Sequence, residues 1–327
     1  MIIHSKNTIN HIMTTHDSSL RFKRATATDL EGIASISVGI YEGSDYVVHQ
    51  FPKWLNDDRW HLFIAETANG KLVGFTSLNI TDNGRSAIIR SSRVDIAYRG
   101  RGVYRSLLDF TLRSVRELLP NLNNILQYRT NKLDNYECLA KVTKLTLACK
   151  LTTKEHLVSK LQEGAQFTTW QEFQDLYSQS QLIRNMFPSD YLRVNAELFN
   201  LSISMNWEYL KTRDELLLLM TRKQSATGYK LAAFSVWDTA IKTTNQGEKY
   251  FGVDFYGADP ESILDHVLRG MQVVFDKIGG TFNFSFWTTE ENEGYCHKLF
   301  QELPFCRIIE SFPLRFLKRD LTIQVKD

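Results

Sequence analysis

The most chemically suggestive stretch of the sequence is a short turn in which arginine and glycine alternate, Arg99-Gly100-Arg101-Gly102. Glycine lets the backbone approach a ligand closely, and a helix that begins after such a turn presents unpaired N–H groups and a partial positive charge. The guanidinium groups of Arg99, Arg101 and Arg105 add charge that suits phosphate oxygens. The turn therefore predicts a pyrophosphate-binding site; the open alternative is a tight strand–helix connection with solvated arginines.

The elements on either side of the turn would hold it in place. Residues 86–96 are β-rich and long enough for a central strand. After the turn, Leu108, Leu112, Val115 and Leu119 fall on one helical face, and Pro120 ends the helix. The sequence therefore places the turn between a buried strand and the N-terminus of an amphipathic helix.

The segments further out predict a complete domain over residues 20–155. Thr28 and Glu31 form a capping-box signature that opens a first helix, and Asn69-Gly70 suits a tight hairpin. Strands are predicted over residues 20–25, 60–67, 71–81, 124–130 and 143–152, and a short helix over residues 133–142. The order is strand, helix, three-strand meander, then the turn and its helix.

The strand end Arg93-Val94-Asp95-Ile96, the turn and the following helix together resemble the coenzyme motif of the GCN5-related N-acetyltransferase (GNAT) superfamily. That motif is Arg or Gln, two residues, Gly, one residue, then Gly or Ala, which maps onto Arg99, Gly102 and Tyr104. Tyr104 departs from the motif because a bulky ring replaces a small residue. The segment 40–46, Ile-Tyr-Glu-Gly-Ser-Asp-Tyr, is similar to the corresponding region of the vertebrate histidine N-acetyltransferases. The resemblance implies an α/β (α+β) fold with a mixed, mostly antiparallel sheet flanked by helices.

The resemblance also implies acetyl-CoA as a co-substrate, and no metal. The backbone N–H of Val94 would bond the acetyl oxygen where the central strand splays from its neighbour. The other residues expected to contact the coenzyme are Ile96, Arg99, Gly100, Arg101, Gly102, Val103 and Tyr104. The implied reaction is direct attack of a neutral amine on the acetyl thioester.

An α-amine is mainly protonated at neutral pH, so it must lose a proton before it attacks. Departure of the thiolate is helped by an acid. Glu42 is the candidate base and Tyr136 the candidate acid. For a free amino acid as acceptor, Arg90 or Arg129 would bind the carboxylate. The remaining candidates for the substrate-side wall are Tyr41, Asp45 and Tyr46. The alternative for the residues near 41–46 is a capped surface loop with packed tyrosines.

The second half repeats the order of elements, which indicates a duplicated architecture. We expect a helical connector over residues 156–209 and a degenerate GNAT-like domain over residues 210–327. At the position equivalent to the arginine–glycine turn, the second half carries Asp259, Pro260 and Glu261. Asp259 suits an N-cap and repels an anion, so a structural or substrate-closing role is expected there.

Amino-acid composition limits the classes of binding partner that are expected. A net charge of +2 over 327 residues argues against nucleic acid or an anionic membrane, so a small-molecule amine or amino acid is expected. The four cysteines show neither zinc spacing nor disulfide density, the tail over residues 1–19 is expected to be flexible, and no stretch is apolar enough to span a membrane. These features predict a cytoplasmic protein of open oligomeric state. Two rival functions stay open, a protein or peptide N-acetyltransferase and a non-catalytic acyl-CoA-binding module.

Overall fold

The computed structural model describes residues 20–40, 45–131, 133–153, 157, 164–187, 190–194, 197–225, 228–243, 249–257 and 259–321. The predicted flexible tail lies outside these ranges, as do Tyr41 and Glu42. The chain divides into two units, one formed by residues 1–80 and 84–123 and the other by residues 81–83 and 124–327. The predicted domain boundaries at residues 155 and 209 stay predictions.

The first unit contains four strands and three α-helices among the described residues. They are β1 (Leu20–Arg24), α1 (Leu30–Ile36), α2 (Val47–Leu55), β2 (Trp60–Thr67), β3 (Leu72–Thr81), β4 (Ser86–Val94) and α3 (Val103–Leu118). The strands neighbour one another in chain order, and β1 with β2 and β2 with β3 are antiparallel. The predicted meander before the turn is therefore confirmed.

Strand alternation gives this sheet two buried faces. Leu62 and Ile64 of β2 join one apolar cluster with residues of α1 and α2, among them Phe51. Phe63, one position out of phase, turns to the other face and meets Phe110 of α3 with ring centroids 5.9 Å apart. Helices α1 and α2 thus cover one face and α3 the other, because successive side chains of a strand point to opposite sides.

Two local predictions for this unit have different outcomes. The hairpin at Asn69-Gly70 is confirmed, and Gly70 has a φ of +81° that favours glycine. The capping box lies two residues earlier than predicted. The Thr26 N–H donates to the Asp29 carboxylate at 2.7 Å, because a short 3-10 turn over Ala27–Asp29 precedes α1.

The second unit contains more elements. They are β5 (Asn124–Arg129), β6 (Glu137–Lys150), β7 (Ala165–Thr168), α4 (Trp170–Gln179), α5 (Gln181–Arg184), β8 (Tyr191–Val194), β9 (Glu197–Asn200), α6 (Ser204–Lys211), β10 (Leu216–Ser225), β11 (Gly228–Thr243), β12 (Lys249–Tyr256), α7 (Pro260–Ile278), β13 (Thr281–Thr289), α8 (Glu293–Glu302) and β14 (Cys306–Asp320). The main strand order is β5-β14-β6-β13-β12-β11-β10-β7, and β8 pairs separately with β9.

This unit repeats the element order of the first. The antiparallel strands β10, β11 and β12 form a meander, α7 follows, and β13 then pairs with β12 in parallel. The other described pairs of this sheet are antiparallel. The order of meander and helix matches β2, β3, β4 and α3 of the first unit, and β5 follows α3 along the chain as β13 follows α7.

Two parts of the second unit differ from the prediction. Residues 133–142, predicted as a short helix, form a turn followed by β6, which is hydrogen-bonded to β13 on one side and β14 on the other. These partners lie more than a hundred residues away in sequence, so local propensity did not reveal them. The segment 156–209, predicted as a helical connector, contains helices but also β7, β8 and β9.

None of the helices that the structure describes is long and apolar enough to cross a membrane. Within the same residues, no cluster of three or more His, Cys, Asp or Glu side chains is arranged to hold a metal ion. All four cysteines are free thiols.

Candidate active site

The loop after β4 is fixed at its start by Asp95. The Asp95 N–H donates to the carbonyl of Val73 at 2.9 Å, and its carboxylate accepts the Ala97 N–H at 2.8 Å, which starts a 3-10 turn over Ile96–Tyr98. Lys71 Nζ lies 2.7 Å from the carboxylate. The hydrogen bond from Lys71, followed by that from Ala97, lowers the pKa of Asp95. The charged carboxylate therefore ties the loop to β3 at neutral pH.

The two glycines of the loop have left-handed backbone conformations. Gly100 has a φ of +75° and Gly102 a φ of +78°. A Cβ added to either would meet nothing within 4 Å, so the requirement for glycine is conformational and does not come from packing. Gly102 is also the N-cap of α3 and has no side chain to bind the first amides of the helix. The loop thus leaves both space and helix N–H groups for an anion.

The start of α3 is anchored to the sheet below it. Val103 is buried, and its Cγ1 would lie 3.2 Å from a Cβ added to Gly74 of β3. Glycine at position 74 therefore lets the first turn of α3 approach the strand closely. This contact holds the helix N-terminus at the end of the sheet where β4 stops.

The arginines of the loop are exposed and oriented by specific contacts. Arg99 Nε donates to the carbonyl of Val94 at 3.2 Å. The Tyr98 ring carries Arg101 at 5.3 Å and Lys71 at 5.4 Å from its centroid. Each side chain keeps N–H donors that these contacts do not use and that could bind an anion. Positive charge is therefore concentrated beside the start of the helix.

The other residues predicted to contact a coenzyme lie on the same stretch of chain. Val94 is the last residue of β4, and Ile96, two residues later, exposes 79% of its surface. Tyr104 is half-buried in the first turn of α3. The residues predicted from Val94 to Tyr104 are therefore brought together at one loop, and the N–H role of Val94 stays a prediction.

A break in strand alternation shapes the opposite face of β4. Ser91 has a φ of +53°, a left-handed value that is unusual for a residue other than glycine. Its hydroxyl lies 3.0 Å from the Tyr46 hydroxyl, and the adjacent Arg90 guanidinium stacks 5.6 Å from the Trp60 ring centroid. Tyr46 and Trp60 both belong to the side covered by α1 and α2. Two consecutive residues thus face the same side, as at a β-bulge.

Aromatic rings line this face. Tyr46 packs edge-on against Trp54, with ring centroids 6.1 Å apart, and Trp54 stacks on Trp60 at 4.3 Å. Burial raises the pKa of Tyr46, but the charges of Arg90 and Arg93 and the hydrogen bond to Ser91 lower it by more. The net result is a phenol whose pKa lies below its ordinary value.

Asp45 and Arg93 form a buried ion pair behind these rings. Arg93 Nε donates to one Asp45 carboxylate oxygen at 2.9 Å and Nη2 to the other at 2.8 Å. Asp45 also accepts the Val47 N–H at 3.0 Å, which fixes the start of α2. Asp45 is fully buried and Arg93 is 6% exposed. The geometry gives Asp45, predicted to contact substrate, a positioning role for α2.

The remaining predicted site residues belong to the second unit or lie outside the described residues. Arg129 on β5 donates through Nε to Gln127 Oε1 at 3.0 Å, and Tyr136 precedes β6 with its ring centroid 6.0 Å from the Arg319 guanidinium. The predicted helical setting of Tyr136 is wrong, because strand β6 begins at Glu137. Both residues belong to the second unit. Tyr41 and Glu42 lie outside the described residues, so the proposed base has no structural description.

The equivalent loop of the second unit carries a carboxylate that is paired with a serine and a lysine. Asp259 is the N-cap of α7, accepts a hydrogen bond from Ser262 and lies 2.9 Å from Lys223 Nζ. Burial raises the pKa of Asp259, but the hydrogen bonds from Ser262 and Lys223 lower it by more. A charged carboxylate therefore stands at this helix start, as the sequence predicted.

Sequence reasoning missed Ser91, Trp60 and Arg93. No residue type in the sequence signals the left-handed backbone of Ser91, since serine rarely adopts it. Arg93 carried a usable signal, because a buried acid such as Asp45 needs a cation, but 48 residues separate the pair.

Comparison with known proteins shows which family and which solved structures this chain resembles. Residues 30–135 match the sequence model of the acetyltransferase (GNAT) family. Two solved structures share the fold over 92% of the chain. A GCN5-related N-acetyltransferase from Sphaerobacter thermophilus covers 95% of its own length at 10% identity and a TM-score of 0.54. A tandem GNAT protein of the clavulanic acid biosynthesis pathway covers 98% at 13% identity and a TM-score of 0.51.

Residues 30–135 therefore resemble the GNAT family, and the predicted fold, a GNAT sheet duplicated in a second GNAT-like unit, is confirmed. The predicted resemblance to vertebrate histidine N-acetyltransferases is also confirmed. The chain is 31% identical over 121 residues to the histidine N-acetyltransferase of Xenopus tropicalis, which is 37% of each chain. It is 24% identical over 227 residues to that of Oreochromis niloticus, 63% of this chain and 64% of the other. The match thus spans about a third to two thirds of these relatives.

Proposed function

We propose that this protein is an N-acetyltransferase that transfers the acetyl group of acetyl-CoA to the α-amino group of a free amino acid, with L-histidine as the favoured acceptor. The observation that carries the proposal is the loop at the start of α3, where Gly100 and Gly102 have left-handed φ values and open space in place of a Cβ. A pyrophosphate fits such a loop because several N–H groups and cations converge on it. The histidine assignment draws on the two vertebrate relatives.

In the reaction, the amine loses a proton, its nitrogen bonds to the acetyl carbon, and the C–S bond breaks with the electron pair leaving on sulfur. The loop would hold the coenzyme phosphates through helix N–H groups, Arg99 and Arg101. The Val94 N–H would donate to the acetyl oxygen as negative charge develops there. Glu42 as base and Tyr136 as acid stay proposals, as do Arg90 and Arg129 as carboxylate ligands.

The first test is release of free thiol from acetyl-CoA in the presence of each of the twenty amino acids and a short peptide panel. Selective turnover of histidine is expected. Selective turnover of another amino acid would keep the reaction and discard that acceptor, whereas turnover of peptides alone would favour a protein acetyltransferase. Coenzyme binding without turnover of any amine would leave a binding module.

A pair of glycine variants tests the loop itself. Gly102→Ala and Gly70→Ala both force a side chain onto a backbone with φ near +80° and open space, so each should cost about 1–2 kcal/mol of stability. Only Gly102 lies at the proposed phosphate site. We expect Gly102→Ala to weaken CoA binding roughly tenfold or more by calorimetry, since charged hydrogen bonds are lost. Equal CoA affinity in the two variants would contradict the proposed site.

A further inference from the structure

A tyrosine, Tyr46, packs on the face of β4 that α1 and α2 cover, and the proposed reaction gives its hydroxyl no role. Tyr46 is half-buried, with its hydroxyl 3.0 Å from Ser91 Oγ. Ser91 keeps a left-handed backbone at a φ of +53°, and non-glycine residues held in such conformations cluster at functional sites. The strained residue thus serves to direct one hydroxyl to the tyrosine.

The charges around Tyr46 favour its ionised form. Among the described residues, the Arg90 and Arg93 cations favour the ionised phenol, the Asp45 carboxylate opposes it, and Trp54 packs edge-on against the ring. The Ser91 hydroxyl can donate a hydrogen bond to a phenolate oxygen. The outcome is a pKa below that of an ordinary tyrosine.

The position of Ser91 on β4 suits a group that meets the acceptor amine. Ser91 precedes Val94 by three residues, which is about 10 Å of extended strand. Three distances add up to about the same length. They are the hydrogen bond from the Val94 N–H to the acetyl oxygen, the distance of about 3 Å from the amine nitrogen to the acetyl carbon, and the hydrogen bond from the amine to the phenol. One small amine therefore bridges the two ends.

Resting on the proposed function, we infer that Tyr46, in place of Glu42, is the catalytic residue that accepts the proton of the acceptor's ammonium group, with Ser91 holding the phenolate oxygen. The tyrosinate takes one proton from the ammonium nitrogen, whose freed lone pair forms the C–N bond. As the C–S bond breaks, the thiolate takes the second proton of that nitrogen. Tyr46 then returns its proton to solvent, so the products are the N-acetyl amino acid, CoA thiol and one proton.

The main experiment is the pH dependence of kcat/KM for the preferred acceptor. Tyr46→Phe should lower kcat about 100-fold or more while the KM for acetyl-CoA stays within twofold, since general base catalysis contributes at this level. The residual rate should rise with pH without a plateau. Incorporation of 3-fluorotyrosine at position 46, which acidifies the phenol without changing its shape, should restore kcat and move the acidic limb to lower pH. Ser91→Ala should move that limb to higher pH, because a hydrogen bond to the ionised form is lost.

Tyr250→Phe is the matched control. Tyr250 is a half-buried tyrosine that also pairs with a serine, Ser285, but in the second unit. This variant should keep both the rate and the pH profile. If Tyr46→Phe behaves like Tyr250→Phe, or if fluorination leaves the acidic limb in place, the inference is overturned.

A second readout separates this inference from the proposed function. Ultraviolet titration of phenolate absorbance, wild type minus Tyr46→Phe, measures the ionisation of Tyr46 without turnover. A Tyr46 pKa below 10 supports the inference, and an unshifted or raised pKa refutes it. An inactive wild type across the whole acceptor panel would instead refute the proposed function.

Discussion

The ion pair between Asp45 and Arg93 predicts a large and specific effect on stability. Arg93→Met removes the hydrogen bonds of 2.9 and 2.8 Å to Asp45 and one of 3.0 Å to the Ser92 carbonyl, and it leaves a fully buried carboxylate without its cation. Breaking one side of a buried pair costs about 3–5 kcal/mol, a large part of the 5–15 kcal/mol typical of a whole protein. The double variant Asp45→Leu with Arg93→Met removes both charges, so it should lose only about 1 kcal/mol, mostly from the Val47 N–H that Asp45 accepts.

Urea unfolding followed by tryptophan fluorescence measures these changes, because Trp54 and Trp60 lie in the apolar cluster that β2 forms with α1 and α2. Arg59→Met is the control, since Arg59 forms an ion pair with Asp57 at 2.6 Å in which both side chains are about a third exposed. That variant should lose under about 1 kcal/mol. If Arg93→Met costs no more than Arg59→Met, or if the double variant loses the sum of its single changes, the structural role assigned to Asp45 is wrong.

Two further predictions concern buried polar groups. Asn79 is fully buried, and neither atom of its amide has a partner among the described residues, so Asn79→Leu should stabilise the protein by about 1–3 kcal/mol in the same assay. Asn206→Leu, which removes an amide that donates two hydrogen bonds, should do the reverse. Burial lowers the pKa of His266 from 6.5 to about 3, so the unfolded chain binds a proton that the folded chain does not between these values. Stability should fall by up to about 1.4 kcal/mol per unit as pH drops below 6.5, and His266→Gln should flatten this slope; an unchanged slope would contradict it.

The sequence was most informative where the chain's interactions are local. Glycine predicts the backbone conformation of the turn at residues 99–102 and of the hairpin at Asn69-Gly70. The repeated meander, helix and strand order also survives in the hydrophobic pattern, which is why the duplicated fold was predictable. In these places the residue types themselves restrict the backbone.

Prediction failed where distant strands decide the structure. Residues 137–142 extend into β6 because that strand pairs with β13 and β14, and neither partner is visible from the local pattern. The same limit explains Asp45. Its place in the substrate-side wall stays a prediction, whereas its pairing with Arg93 depends on how β4 lies against α2.

The left-handed backbone of Ser91 connects local conformation with the proposed chemistry, because one residue's backbone decides which face of β4 carries that chemistry. With regular alternation, Arg90 and Ser91 would point to opposite faces, and Tyr46 would lose either its hydroxyl partner or a neighbouring cation. Since α3 covers the other face and its N-terminus forms the arginine–glycine loop, β4 carries the proposed acceptor chemistry on one side and leads into the proposed coenzyme loop at its end. Under the proposed reaction, this arrangement lets the amine and the thioester meet along a single strand. Under the same proposal, the left-handed backbone of Ser91 has a functional reason, because it sets Ser91 and Arg90 on the side of Tyr46 and Trp60.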